Sequence, residues 1–286
     1  HDAGDYGRYI VAGAVAVADL LLAWQENRLL FERSYHIPNE SGLPDFLEEI
    51  KYELDWMLKM QDEKTGGVYH KVTCQSFPGF VMPEKETEPL VISPISATAT
   101  ADFAAVFALV YEVYKEFDKD FADGCLAAAR YAYEALQKMP SNNGFHNPKG
   151  IVTGEYGDVC DVDERYWAAA QLYKATGEES YHLDFKKLAE REIKHGFGWE
   201  NVGSFGNHAY LTCEYVVDDR LWHAIKKEVI LCGEQILEDC KKDAYAVALK
   251  EDYIWGSNMV VANLGLHLCE AYHYKKNTDF VQAARE

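Results

Sequence analysis

The sequence predicts an all-α protein built as a toroid of helical hairpins. Apolar residues recur at three- and four-residue spacing through most of the 286 positions, the period of helices with one buried face. Short turns alternate with long loops rich in Gly, Asn and aromatics, the pattern of hairpins standing side by side with their long loops gathered on one face. Strand signals are confined to short pieces such as residues 68–73. An ordinary helical bundle or a solenoid shares this period, but no fixed repeat is visible to support the solenoid.

The elements follow in order. The spacing predicts a long Ala-, Val- and Leu-rich helix over 9–32, interrupted in polarity by Asp19, Gln25, Glu26 and Arg28. A helix over 44–60 carries an apolar stripe of Leu47, Ile50, Leu54, Trp56, Met57 and Met60, with Pro44 suited to its first turn. A loop over 61–94 holds prolines, paired glycines and aromatics. A helical pair over 97–117 and 121–138 precedes a polar loop over 140–160, and a second pair covers 161–176 and 180–194. Helices over 208–217, 219–237 and 256–275 come next, and a further helix starts at Thr278. Trp24, Trp56, Trp167 and Trp222 fall inside these helical patterns and are expected in the core.

Composition narrows the partners. A formal net charge of -19 and a pI near 4.9 repel phosphate backbones and anionic lipid, so nucleic acid and membrane are excluded as expected partners. Neutral sugars and divalent cations remain. Acidity alone also keeps an abundant protein in solution. The cysteines at 74, 125, 160, 213, 232, 240 and 269 form no CxxC pair and read as mostly buried thiols, not a disulfide framework.

Several segments carry chemistry. The chain opens His1-Asp2-Ala3-Gly4-Asp5-Tyr6-Gly7-Arg8-Tyr9, where two small residues between carboxylates let both point into one cleft. Asp2 and Asp5 also suit a loop or N-cap before the helix near Tyr9. Further on come Pro38-Asn39-Glu40-Ser41-Gly42-Leu43-Pro44-Asp45, Leu54-Asp55-Trp56-Met57, Gly66-Gly67-Val68-Tyr69-His70-Lys71-Val72-Thr73, Asp163-Glu164-Arg165-Tyr166-Trp167 and Trp255-Gly256-Ser257-Asn258. In this order, from one end of the chain to the other, they resemble family 9 of the glycoside hydrolases. The wording from Val68 to Phe77-Pro78-Gly79-Phe80-Val81-Met82-Pro83-Glu84 is similar to the subgroup with an immunoglobulin-like module before the catalytic domain.

The resemblance implies an (α/α)6 barrel, incomplete at the C-terminus, with residues 1–286 forming a single partial catalytic domain. It also implies inverting hydrolysis of β-1,4-glucans in cellulose or related polysaccharides, by an extracellular enzyme that can join a multi-enzyme cellulolytic complex. Inversion needs two carboxyl groups about 6.5–9.5 Å apart, one to activate water and one to protonate the leaving oxygen. By resemblance Asp5 is the general base and Asp2 helps hold the water, while the general acid is a glutamate expected beyond residue 286. On that expectation the 286 residues alone are nearly inactive. A catalytically silent glycan-binding toroid, a helical scaffold, and a relative acting on glucosamine oligomers are the alternatives.

Flat aromatic faces suit the C–H faces of glucose. Trp255 is the first candidate platform and Trp199 the second, and His70 and Tyr156 sit in loops able to reach a cleft. Met259 and Val260 stand where the family commonly has an arginine and a tyrosine, a departure that bears on substrate preference. Asp158, Asp161, Asp163 and Glu164 cluster in a Gly-containing loop and the helix start after it, a spacing compatible with calcium. Acidic residues are equally favoured at a helix N-terminus for its capping and dipole. The family places calcium in this segment, and the subgroup's zinc ligands lie upstream of Asp2, outside this chain.

Overall fold

The computed structural model describes residues 6–39, 41–141, 144–250, 253–254 and 256–286. Asp2, Asp5 and Trp255 therefore lie outside the described residues. The helices are α1 (Ile10–Glu26), α2 (Arg28–Phe31), α3 (Asp45–Leu58), α4 (Ala97–Tyr114), α5 (Lys119–Leu136), α6 (Val162–Thr176), α7 (Glu179–Ala189), α8 (Gly203–Leu211), α9 (Asp219–Lys242), α10 (Ser257–Tyr274) and α11 (Thr278–Arg285). Helices α1, α4, α6 and α8 pack in series as an inner row, with α5 and α7 behind α4 and α6. The architecture is that of an (α/α)6 toroid.

Sequence explains which helices go inside. Helix α4 reads ATATADFAAVFALVYEVY, and its alanines let neighbours approach closely from several sides. By length and hydropathy it is apolar enough to cross a membrane, yet 89% of it is buried within the protein, so it is the central core helix. Ser96 caps it, its hydroxyl accepting from the Ala99 N–H at 3.1 Å. The outer helices α5, α7 and α9 bury one stripe each, such as Ala122, Cys125, Ala129 and Ala132 on α5. Asp118 and Asp218 cap α5 and α9, and Gly177 closes α6 in the left-handed conformation at φ 71°. Trp24 and Trp167 are buried in the main core, and Trp56 and Trp222 pack half-buried against it.

A smaller second core of Ile236, Leu237, Cys240, Leu268, Ala271 and Phe280 joins α9, α10 and α11. Helix α10 connects to the inner row through the His208–Glu270 pair at 3.2 Å. Burial pushes the Glu270 carboxyl up, but the His208 hydrogen bond and charge outweigh it and hold the pKa below its usual value.

Among the described residues, five short strands organise the loop face: β1 (Arg8–Tyr9), β2 (Val68–Tyr69), β3 (Lys71–Thr73), β4 (Val91–Ile92) and β5 (Ile95–Ser96). They form an antiparallel β1-β3-β4 ribbon, with Arg8 opposite Val72 and Val72 opposite Ile92, and a β2-β5 pair. The ribbon pins residues 8–9 to the long loop over 61–96, so the chain enters the fold beside the loops that build the site. None of the seven cysteines is joined in a disulfide, and Cys269 is exposed.

Candidate active site

The long loops and two helices enclose a cavity of about 1160 Å³. Its wall comprises Ala12 and Val15 on α1, loops 77–80, 154–156 and 196–201, and Met259, Val260, Asn263, Leu264 and His267 on α10. This volume exceeds the roughly 300–1,000 Å³ of ordinary small-molecule pockets and suits an extended ligand. Its lining is largely apolar and aromatic, with Asn201, Asn263, Glu155 and Glu200 as sparse polar groups. His267 is held neutral, its pKa lowered to about 4 by burial and by the neighbouring His195. Amides, a neutral imidazole and aromatic faces are groups chemically suited to a neutral polyhydroxylated ligand.

Tyr156 and Trp199 both line this cavity and meet edge-to-face at 5.1 Å and 80°. Tyr9 packs against Tyr156 at 4.6 Å, which brings the residues following the N-terminal carboxylate motif to the same wall. Tyr6 sits at φ 60°, an uncommon backbone setting for a tyrosine and one often found where function demands it. Its hydroxyl donates to the Val81 carbonyl at 2.5 Å.

His70 is placed differently from the expectation of a substrate contact. It is fully buried behind the wall and stacks on Phe145 at 3.5 Å. Its Nε2 lies 3.2 Å from the Glu155 carbonyl, which can only accept, so Nε2 carries the proton and Nδ1 accepts from the Ser96 hydroxyl at 2.9 Å. Burial lowers its pKa to about 3, which fits this neutral tautomer. It stands between β2 and β3, where its neighbour Lys71 is buried too, so both faces of the chain are covered at this point. His70 thus braces the loop that presents Tyr156. Lys71, also fully buried, braces the same loop by donating to Asn147 Oδ1 at 2.6 Å and the Gly154 carbonyl at 2.5 Å. Sequence reasoning passed over Lys71, whose signal was a lysine in a strand with its charge directed inward.

Beneath the cleft, Asp158, Asp163 and Glu164 come together with Asp102 from the middle of α4. Both oxygens of Asp102 and of Glu164, and Oδ2 of Asp158, are buried without a hydrogen-bond partner. Burial, then mutual repulsion, raises the pKa of Asp102 and Glu164 well above the usual carboxylate range. Asp163 Oδ2 accepts from the Val202 N–H at 2.9 Å, joining α6 to the loop that carries Trp199. Among the described residues no three such side chains already frame a ligand shell. The orphaned oxygens and the all-carboxylate donor set nevertheless fit a hard cation such as calcium, and they fit no soft metal. Asp161 departs from its expected place in the set. Its carboxylate pairs with Arg165 Nε at 2.7 Å, and that guanidinium also donates to the Leu136 carbonyl at 3.0 Å. Asp102 was missed because a single acid in an alanine-rich run leaves no motif.

The model of glycosyl hydrolase family 9 matches residues 1–286. The chain belongs to glycoside hydrolase family 9. It is 37% identical to an endoglucanase D of Acetivibrio thermocellus over 291 residues, covering 99% of this chain and 46% of that protein. It is 38% identical to a cellodextrinase of Butyrivibrio fibrisolvens over 279 residues, covering 91% of this chain and 50% of that one. A crystal structure of a thermostable endoglucanase from Alicyclobacillus acidocaldarius superposes with a TM-score of 0.92 at 36% identity, covering 99% of this chain and 55% of that one. The family 9 chain thus spans about half the length of the curated relatives it matches.

Proposed function

We propose that this family 9 protein hydrolyses β-1,4-glucosidic bonds in cellulose or related β-glucans with inversion at the anomeric carbon. The observation that carries the reading is the extended cavity lined by Tyr156 and Trp199 in a chain of this family, beside the point where the Asp2-Ala3-Gly4-Asp5 segment joins the fold. Asp5 acts as general base on a water that Asp2 helps hold. The proton for the leaving oxygen comes from a glutamate in the part of the enzyme that matches the remaining length of the relatives. Glu155 does not fill that role, because the Asn147 N–H and His146 hold its pKa below the usual value and keep it ionised. Trp255, Trp199 and Tyr156 offer faces to the sugar rings, and His70 holds the wall in register.

Asp102, Asp158, Asp163 and Glu164 would hold a structural calcium ion, which would neutralise their charges; the Asp163–Val202 bond ties that cluster to the Trp199 loop. Because a polymer substrate cannot enter a cell, the proposal includes action outside it. The test is reducing-sugar release from a soluble β-1,4-glucan by the native enzyme and by Asp5→Ala. Loss of general-base catalysis lowers kcat by about 10²–10⁴-fold. Undiminished activity in Asp5→Ala refutes the base assignment, and an inert native enzyme refutes the hydrolase reading.

A further inference from the structure

The loop after β3 carries an aromatic lip that is exposed among the described residues. Phe80 has a relative exposure of 112%, and Phe77 is 49% exposed, whereas the other aromatics beside the cavity pack against one another. Both phenyl rings line the same cavity as Tyr156 and Trp199. Two observations argue against a loosely trailing loop. The Tyr6 hydroxyl bonds to the Val81 carbonyl at 2.5 Å, one residue beyond Phe80, and Val152 N–H donates to the Gln75 carbonyl at 2.8 Å on the other side. Gly79, at φ 78° with open space where a Cβ would stand, sets the turn that points the loop tip outward.

Resting on the glucan reading above, we propose that Phe80, with Phe77, is a sugar-stacking platform at the rim of the cleft that takes one pyranose ring of the glucan chain. Two apolar rings displayed together at a cavity mouth are suited to a flat apolar partner. The axial C–H face of a β-linked glucose supplies one, and its equatorial hydroxyls stay in water at the rim. The chain's charge of -19 disfavours a polyanionic occupant, and the cleft offers amides in place of cationic side chains. The Tyr6 tether ties the platform to the residue directly after Asp5, so a ring stacked there is held in register with the reacting end of the site.

Stacking of this kind is equal in the ground and transition states, so it acts on KM and leaves kcat unchanged. The test is a chain-length series, from aryl cellobioside to cellohexaose, with the native enzyme, Phe80→Ala and Phe80→Trp. The native enzyme should show a step in kcat/KM at the length whose ring first reaches the lip. Phe80→Ala should erase that step by a roughly fivefold rise in KM, the scale of one aromatic contact, with kcat intact and shorter substrates unaffected. Phe80→Trp should restore it. A length profile in Phe80→Ala identical to that of the native enzyme overturns the platform, and so does a loss confined to kcat. A native enzyme inert on every β-glucan instead overturns the hydrolase reading on which the platform rests.

Discussion

Calcium should stabilise the protein through the carboxylates beneath the cleft, and substituting Glu164 should separate repulsion from ligation. In the cation-free protein, Asp102 and Glu164 hold their protons to higher pH than in the unfolded chain. The folded state therefore binds more protons above about pH 4, and the cluster's contribution to stability falls as pH rises through that raised range. A bound cation removes the penalty. At a hundred times Kd, a ligand specific for the folded state adds about 2.7 kcal/mol. For a chain of 286 residues that is a Tm rise of about 4–5 °C at neutral pH. Near pH 4 the rise should shrink, because protons then compete for the same oxygens.

Glu164→Gln replaces the central carboxyl with an amide that carries no charge at any pH and can donate to the orphaned oxygens around it. Without calcium this variant should be more stable than the parent by about 1–2 kcal/mol, and its calcium-dependent rise should vanish. Differential scanning calorimetry in EDTA and in millimolar calcium reads both effects. A Tm indifferent to calcium and EDTA at pH 7, or a Glu164→Gln variant with the parent's full calcium response, would refute the cation site.

Two further predictions concern the scaffold. His70, with a pKa near 3 when folded, refuses a proton that the unfolded chain accepts below about pH 6.5, so it costs stability as pH falls through that window, by up to roughly 5 kcal/mol. His70→Gln should flatten this slope in a series of denaturant titrations between pH 7 and 4, and an unchanged slope would rule the residue out as its source. Gly206 on α8 meets α6 so closely that an added Cβ would stand 2.6 Å from Tyr166 Cδ1 and 3.1 Å from the Trp167 backbone. Gly206→Ala should cost about 1–3 kcal/mol through overpacking, and a neutral result in chemical unfolding would show that the inner helices pack less tightly than this.

The sequence carried the helical pairs well where local and tertiary preferences agree. Helix α6 runs from Val162 to Thr176, within one residue of the expected 161–176, and Gly177 ends it. It failed where packing overrode propensity. The helix expected over 208–217 forms instead at Gly203–Leu211, because Gly203 and Gly206, poor helix formers, are needed for close approach to Lys194 and Tyr166. The long first helix breaks at Asn27, at φ -146°, which leaves α2 as a separate turn. The strands β1, β4 and β5 have two residues each, too short for any alternation to show.

The site was legible in proportion to how local its signals are. Tyr156 and Trp199 stand out in sequence as aromatics in loops, and the structure places both on the cavity wall. Asp158, Asp163 and Glu164 are close in sequence and their grouping is visible there, but Asp102 comes from 56 residues before Asp158 and is brought in by α4 packing on α6. His70 and Asp161 look in sequence like residues that face a ligand. Only the partners supplied by the fold, the Glu155 carbonyl and the Arg165 guanidinium, show that they face inward.

The central claim is inverting hydrolysis of a β-1,4-glucan, and the most direct measurement of it is proton NMR of the first product released from cellohexaose. The account predicts that the new reducing end appears initially as the α-anomer and only later equilibrates by mutarotation. Initial appearance of the β-anomer would contradict it, requiring a covalent glycosyl intermediate in place of a water activated by Asp5.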